Sequence, residues 1–363
     1  MIMQTITDFM FRSVAPRDIR YVKRPDLKRM DTLAAQVSQQ MAQEFQLAPP
    51  LTLHHLLPRV MAGLWAISRE AYIAGHTGRA LREAVASEIS KINQCPYCVD
   101  VHTAMLHGLG NGEVAQAIVY DKDAMDGVSR DVVDWATANL SPKSNILRRP
   151  PFTANDAPKF IGTALLFHYL NRMAHLFLPD SPLPVPSSFA WLKRNLGIVF
   201  GKTVGSKIAT LTASSDTFPL ADEVTALPPE FNWALADERI AAAFSLFAKV
   251  IEEAGAFYID VKVRELLLSK LDQWQGDQPG LGQAWLEESV TGQDKAQRPA
   301  ARLALLTAFT SYQVNDSDIA SFREQTKSDA ALIALTSWAS FQAMKKVSTW
   351  LHAPEKTTSS NEI

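Results

Sequence analysis

The chain has 363 residues, with 36 Lys and Arg against 38 Asp and Glu, which gives a net charge of -2. A protein so close to neutral has no general attraction for nucleic acid or for an anionic membrane surface, so neither is expected as a partner. With 47% hydrophobic residues the chain can bury a large core, and it is long enough for two domains.

The chain contains two cysteines, Cys95 and Cys98. Two are too few to staple a small secreted scaffold, and their C-x-x-C spacing indicates a redox or metal role in a reducing compartment. We therefore expect a cytoplasmic protein. The N-terminal sequence lacks the apolar core and cleavage site of a secretory signal, and no window of about twenty uncharged apolar residues predicts a membrane span.

Apolar residues recur at intervals of three and four along most of the chain, and this periodicity predicts helices. An irregular arm is expected over residues 1–25. The predicted helices lie at 27–45, 56–90, 101–109, 113–120, 130–140 and 157–177, and the helical pattern resumes from 233 to 350. The sequence therefore predicts an all-α protein, in which the apolar segment 157–177 is a central helix buried on most faces.

Two proline-rich stretches interrupt the helical pattern. The first, PDSPLPVPSS, follows Leu178, and the second covers residues 214–232. Such stretches are typical of linkers or long connections. We predict a first domain at 1–178, a connector at 179–232, a second helical domain at 233–352 and a disordered tail at 353–363.

Aligning the chain with itself at an offset of 182 residues suggests a tandem repeat. The alignment places the LRE sequence at Leu81 opposite the VRE sequence at Val263. In the second copy no cysteine or histidine stands opposite Cys95, Cys98 or His102. Their counterparts are Asp277, Gly280 and Ala284. The second copy is therefore predicted to be a degenerate repeat, which can fold but lacks the groups for dithiol chemistry.

The candidate chemistry is concentrated in residues 83–102, EAVASEISKINQCPYCVDVH. Because Pro96 suits the first turn of a helix, a helix is expected to open at Cys95 and to run through His102. The N-terminus of a helix favours a thiolate. Cys98 and His102 are four residues apart and share a face of this helix, so the imidazole can reach the sulfur directly or through a water.

Glu83 lies on the preceding predicted helix. If the two helices pack as an antiparallel hairpin, its carboxylate can orient His102 or share a proton with it. Peroxide reduction needs a thiolate that attacks oxygen, a proton donor for the leaving group and a second thiol that resolves the sulfenic acid. Cys98, Cys95, His102 and Glu83 supply these parts. The helix N-terminus alone favours Cys95 as the more acidic thiol, whereas the nearby histidine favours Cys98 as the nucleophile.

The pattern E-x11-C-x2-C-x3-H, followed by HGLGNGEV, resembles the signature of AhpD-type alkylhydroperoxidases in the carboxymuconolactone decarboxylase-like superfamily. The resemblance is best over residues 50–120. It implies an all-helical homo-oligomer, here a dimer or trimer, that reduces organic hydroperoxides or hydrogen peroxide and is re-reduced by an external dithiol protein.

The same resemblance implies specific roles for the motif residues. Cys98 would attack the peroxide, Cys95 would resolve the intermediate, and Glu83 with His102 would relay protons. No cofactor and no metal are expected. Tyr97 stands where the best-known members of this group carry a histidine.

Other interpretations of the motif are weaker. CPYC also occurs in glutaredoxins, but there it follows a β-strand, whereas here it follows a helical pattern. A c-type haem site needs a histidine directly after the second cysteine, where this chain has Val99. The four motif residues could bind zinc, although structural zinc ligands usually come as two spaced pairs. The main alternative is a thiol-disulfide sensor or interaction protein without peroxidase activity, and the cysteines could also be small buried residues without chemistry.

Three polar residues on the predicted central helix could line a pocket near the thiols. His168, Arg172 and His175 recur at i, i+4 and i+7. A buried histidine with a hydrogen-bond partner in the core is the commoner arrangement, so no catalytic role is assigned to them.

Overall fold

The computed structural model describes residues 19–182 apart from 27, 76–77, 121–124 and 126, and residues 218–354 apart from 281. Most of the predicted N-terminal arm, residues 183–217 of the predicted connector and residues 355–363 of the predicted tail lie outside these ranges.

The regular elements of the described residues are all helical, as the sequence predicts. The longer helices of the first half are α1 (Thr32–Glu44), α2 (Pro58–Ile67), α3 (Arg79–Ile92), α4 (Pro96–Gly108), α5 (Gly112–Tyr120), α6 (Gly127–Thr137) and α7 (Ala157–Phe177). Those of the second half are α8 (Glu238–Tyr258), α9 (Val261–Gln273), α10 (Ala284–Val290), α11 (Arg298–Thr310), α12 (Asp316–Gln325) and α13 (Asp329–Ser348).

Shorter helical segments connect or extend these helices. A π-helical segment, Ser68–Ile73, continues α2. Single α-turns occur at Pro49–Thr52 and Asn145–Arg148, and 3-10 segments at Leu53–Leu56, Ala138–Leu140, Ala221–Glu223, Pro229–Ala236 and Ser311–Gln313. None of the helices in the described ranges has the length and apolar character needed to cross a membrane.

Helix α7 is the central helix that its sequence predicts. All of its residues except Lys159 and His175 are buried, and it packs along α13, which is also buried on most faces. Leu, Ile, Phe and Ala dominate both helices, so their burial supplies much of the hydrophobic stabilisation. One continuous hydrophobic cluster includes residues of both halves of the chain.

Helices α2 and α8 form the other main contact between the halves. Gly63 permits their close approach, because a Cβ atom there would lie 2.8 Å from Val250 Cγ2 and 3.0 Å from Phe247 Cα. A larger residue at this position would force the two helices apart.

Two of the helix positions agree with the 182-residue offset of the predicted tandem repeat. Moved back by 182 residues, α9 falls on 79–91, close to the bounds of α3 at Arg79–Ile92. Helix α8 falls on 56–76, which covers α2 and the π-helical segment. Helices α2 and α8 also pack against each other, as equivalent elements do in a two-fold pair. The repeat and the domain boundaries remain predictions.

Burial lowers the pKa of three histidines in this core. The His54 imidazole lies between the carbonyl of Leu51, at 3.2 Å from Nδ1, and the hydroxyl of Tyr169, at 2.7 Å from Nε2. Burial lowers the pKa of His54 to about 3 and that of His175 to about 4. Burial also lowers the pKa of His168 well below its usual value.

We expect the stability of the fold to fall in acid because of these histidines. In the unfolded chain His54 binds a proton near pH 6.5, but in the folded chain it does so only near pH 3. Its contribution is therefore present in full above pH 6.5 and is lost as the pH falls towards 3, at up to about 1.4 kcal/mol per pH unit. Urea unfolding between pH 7 and 4 should show a smaller pH dependence for His54→Gln than for the parent. His352→Gln, at an exposed histidine, is the control, and equal slopes in all three proteins would contradict the prediction.

Candidate active site

A tight helical hairpin positions the motif residues. Helices α3 and α4 pack against each other and are joined by residues 93–95. Gln94 adopts a left-handed conformation, with φ of 59°, and the Cys95 amide donates to the carbonyl of Ser90 at 2.8 Å. Cys95 is the N-cap of α4, and Pro96 is its first residue, as the sequence predicts. The short link places the middle of α4 beside α3.

Glu83 and His102 meet across this hairpin. His102 Nδ1 lies 2.8 Å from Glu83 Oε2, and the Glu83 side chain is fully buried. Because a carboxylate only accepts hydrogen bonds, Nδ1 of the neutral imidazole carries the proton. Nε2 is therefore the nitrogen that can accept a proton.

Two further residues, Tyr72 and Arg79, complete the network around Glu83. The Tyr72 hydroxyl donates to Glu83 Oε1 at 2.7 Å and lies 3.2 Å from His102 Nδ1. Arg79 forms a buried ion pair with the same carboxylate, and its guanidinium lies 4.3 Å from the centre of the Tyr72 ring. Arg79 also donates to the Tyr72 carbonyl at 2.7 Å. Neither residue is among those that the sequence predicts for the site.

The network keeps Glu83 ionised. Burial alone would raise its pKa, but the Arg79 guanidinium and the hydrogen bonds from His102 and Tyr72 outweigh burial and lower the pKa to about 2. Burial and the adjacent carboxylate raise the pKa of Tyr72 well above 10, so its hydroxyl remains a donor. At neutral pH Glu83 therefore suits orientation of His102 better than exchange of protons with it.

The two cysteines lie in different surroundings. Both are buried and unbridged, but Cys98 lines a cavity that also contains His102 and Tyr72. Burial raises the pKa of the Cys95 thiol well above its usual value, and the adjacent Cys98 raises it further. Cys98 is therefore the thiol that a molecule in the cavity would meet. No hydrogen bond joins Cys98 to His102 among the described residues, although both side chains line the cavity.

The cavity is small and almost entirely apolar. Its volume is about 80 Å³, and its walls include Phe45, Met105, Leu166, Phe167 and Leu170. The ring of Phe167 packs edge-on against the rings of His102 and Tyr72, with centroids 4.4 and 5.2 Å apart. This packing holds both polar side chains in place on one wall. A ligand in the cavity would therefore meet a sulfur, an imidazole and a phenol in an otherwise apolar enclosure.

Known proteins are similar to this chain in sequence. Residues 58–130 match the carboxymuconolactone decarboxylase family. The chain is also 28% identical, over 329 residues, to a protein of Mycobacterium tuberculosis named alkyl hydroperoxide reductase, a match that covers 90% of this chain and 93% of that protein. The similarity thus extends beyond the family segment into the second half. No solved structure matches the chain.

The matched segment, residues 58–130, contains all four predicted site residues and both of the residues that were missed. Arg79 precedes Glu83 by four positions, a spacing that predicts an ion pair on one helix face. Tyr72 offers no comparable signal, because its position depends on the π-helical segment and on the turn before α3.

Within the described ranges, no three His, Cys, Asp or Glu side chains converge as a metal site would require.

The polar residues of α7 lie outside the thiol cavity. His168 Nδ1 lies 3.2 Å from Asn93 Nδ2, and His175 binds Ser311 Oγ at 2.8 Å and the Gln94 carbonyl at 2.9 Å. His168 is buried and His175 is partly buried, and both tie α7 to the link between α3 and α4.

We expect Arg79→Met to destabilise the protein by about 3–5 kcal/mol, because it leaves the Glu83 carboxylate buried without a cation. Glu83→Gln in the same chain removes the unpaired charge, so the double variant should be more stable than Arg79→Met alone. Urea unfolding at pH 7 measures both effects. Lys262→Met, which removes an exposed ion pair with Asp294, should change stability far less. Additive losses for Arg79→Met and Glu83→Gln would contradict the prediction.

Proposed function

We propose that this protein is a thiol-dependent peroxidase that reduces hydroperoxides through Cys98 and Cys95. One observation supports the proposal most strongly: Cys98 and His102 line the same apolar cavity, and Glu83 Oε2 lies 2.8 Å from Nδ1 of that histidine. The similarity to a protein named alkyl hydroperoxide reductase agrees with it. An apolar enclosure suits an organic hydroperoxide, and hydrogen peroxide is small enough to enter.

In the first step, the Cys98 thiol proton passes to His102 Nε2 through a water in the cavity, and the thiolate attacks the terminal oxygen of the hydroperoxide. A sulfur-oxygen bond forms and the oxygen-oxygen bond breaks. The imidazolium returns the proton to the departing alkoxide, which leaves as the alcohol. Cys98 is oxidised to the sulfenic acid, and the hydroperoxide is reduced by two electrons.

In the second step, Cys95 attacks the sulfenic sulfur of Cys98. The disulfide forms, the sulfur-oxygen bond breaks, and the hydroxide leaves as water with the Cys95 proton. The two residues belong to the N-cap and first turn of one helix, so the approach needs only local movement. An external dithiol protein then reduces the disulfide by thiol-disulfide exchange and restores both thiols.

Glu83 acts by orientation in this proposal. Its carboxylate fixes the imidazole ring and favours the imidazolium that forms transiently, while Arg79 and Tyr72 fix the carboxylate. Tyr97 also lines the cavity, and the relay requires no histidine at that position.

We further propose a cytoplasmic homo-oligomer, a dimer or trimer, which light scattering would measure; a strictly monomeric species would count against it.

The proposal predicts the fate of each thiol after one equivalent of cumene hydroperoxide. The reduced parent should lose two free thiols within seconds, whereas Cys98→Ser should lose almost none. Cys95→Ser should lose one and accumulate a sulfenic acid that a dimedone probe traps. His102→Ala should react about 10²–10⁴-fold more slowly, because proton transfer is lost. Titration of free thiols over time measures each case.

Two controls complete this experiment. His352→Ala, at an exposed histidine, should react like the parent. Repeated turnover in the presence of excess dithiothreitol separates a peroxidase from a thiol-disulfide sensor, which would be oxidised only once at a slow rate. Thiols that survive the peroxide, or that react no faster than a free thiol, would overturn the proposal.

A further inference from the structure

A second, smaller cavity lies at the junction of the two halves of the chain. Its volume is about 20 Å³. It is lined by the link between α3 and α4, by α7 and by the second half. The polar or aromatic residues around it include Asn93, Arg172, Trp274, Gln278, Ser311 and Tyr312. Asn93 precedes Cys95 by two residues, so this cavity adjoins the chain segment that leads into the dithiol.

Arg172 brings a positive charge to this cavity. The residue is 6% exposed. Its Nε donates to the carbonyl of Ala308 at 3.0 Å and its Nη1 to the carbonyl of His168 at 2.5 Å. Within the described residues no carboxylate pairs with it. Burial lowers the pKa of Arg172 to about 10, which still leaves the guanidinium protonated at neutral pH.

The other deeply buried arginines show that this situation is unusual. Arg69 pairs with Glu44 and Glu70, and Arg79 pairs with Glu83. Arg82 also lacks a carboxylate, but its guanidinium binds two carbonyls after the π-helical segment and lines neither cavity. Arg172 therefore combines an uncompensated charge with open space beside it.

A buried cation without a counter-charge is unfavourable, because the carbonyl dipoles replace only part of its hydration. The walls formed by Trp274 and Phe309 lower the local dielectric, which strengthens the attraction for any anion that enters. The cavity also contains a hydrogen-bond donor for an anion. The Tyr312 hydroxyl makes only a long contact, 3.4 Å, with Gln278 Oε1 and can turn towards a ligand.

We propose that this cavity binds one small monovalent anion of halide size, held by the Arg172 guanidinium. A volume of 20 Å³ accommodates about one water-sized group, so sulfate and phosphate are too large. The exposed Gln278 forms part of the rim, which gives ions from solution a route of entry. The bound anion joins α7 to the Asn93 link and to Ser311 and Tyr312 of the second half, and this inference does not depend on the proposed peroxidase activity.

Thermal unfolding of the full chain tests the site. The ionic strength is held constant while sodium chloride replaces sodium gluconate. A 100-fold rise in chloride above the dissociation constant should raise the unfolding midpoint of the parent by about 3 °C. Arg172→Met should lose this dependence. Arg264→Met should retain it, because Arg264 also donates to a backbone carbonyl, that of Ile259, but lines neither cavity.

The outcomes separate clearly. Chloride dependence that is absent in the parent, or equal in the parent and Arg172→Met, would overturn the proposal. A shift with acetate but not with chloride would overturn the halide assignment and indicate a carboxylate ligand. If Arg172→Met fails to fold, anomalous diffraction from parent crystals soaked in bromide decides the question. A bromide peak within hydrogen-bond distance of Arg172 supports the site, and a cavity without one overturns it.

Discussion

The ion pair between Arg79 and Glu83 is the constraint on which the arrangement of the site depends. Without the guanidinium, burial would favour the protonated carboxyl group, and the group that holds His102 Nδ1 would change from an acceptor to a possible donor. With it, Glu83 is ionised and accepts from Tyr72, Arg79 and His102 at once. The orientation of the imidazole, and hence its free Nε2, follows from this one buried charge.

The surrounding helices keep the residues of this network buried and fixed in position. Helix α7 supplies Phe167 against His102 and Tyr72 on one face, and its own burial depends on α13 of the second half. Helix α2, which leads into the segment that carries Tyr72, packs on α8 in the same way. The second half lacks the motif cysteines and histidine, yet it supports α7, which lines the cavity, and α2, which leads into the segment that carries Tyr72.

The sequence predicts those parts of the site that depend on local spacing. Pro96 identifies the start of α4. The four-residue interval between Cys98 and His102 predicts that both side chains share one face of this helix, and both line the same cavity. Tyr72 could not be predicted, because its hydroxyl reaches Glu83 only after the π-helical segment and a chain reversal. The charge imbalance at Arg172 likewise arises from packing between α7 and α11, which no short motif encodes. The domain boundaries remain predictions, since one hydrophobic cluster spans both halves.

The buried Glu83 carboxylate selects the tautomer of His102, and the rest of the site depends on that choice. Nitrogen-15 NMR of the reduced protein with labelled histidine measures this directly, at an alkaline pH of about 8.5 where a typical imidazole is neutral. His102→Gln assigns the signals. The account predicts a protonated Nδ1 and an unprotonated Nε2 in the parent. A proton on Nε2, or a tautomer that is unchanged when Glu83 is replaced by leucine, would contradict it.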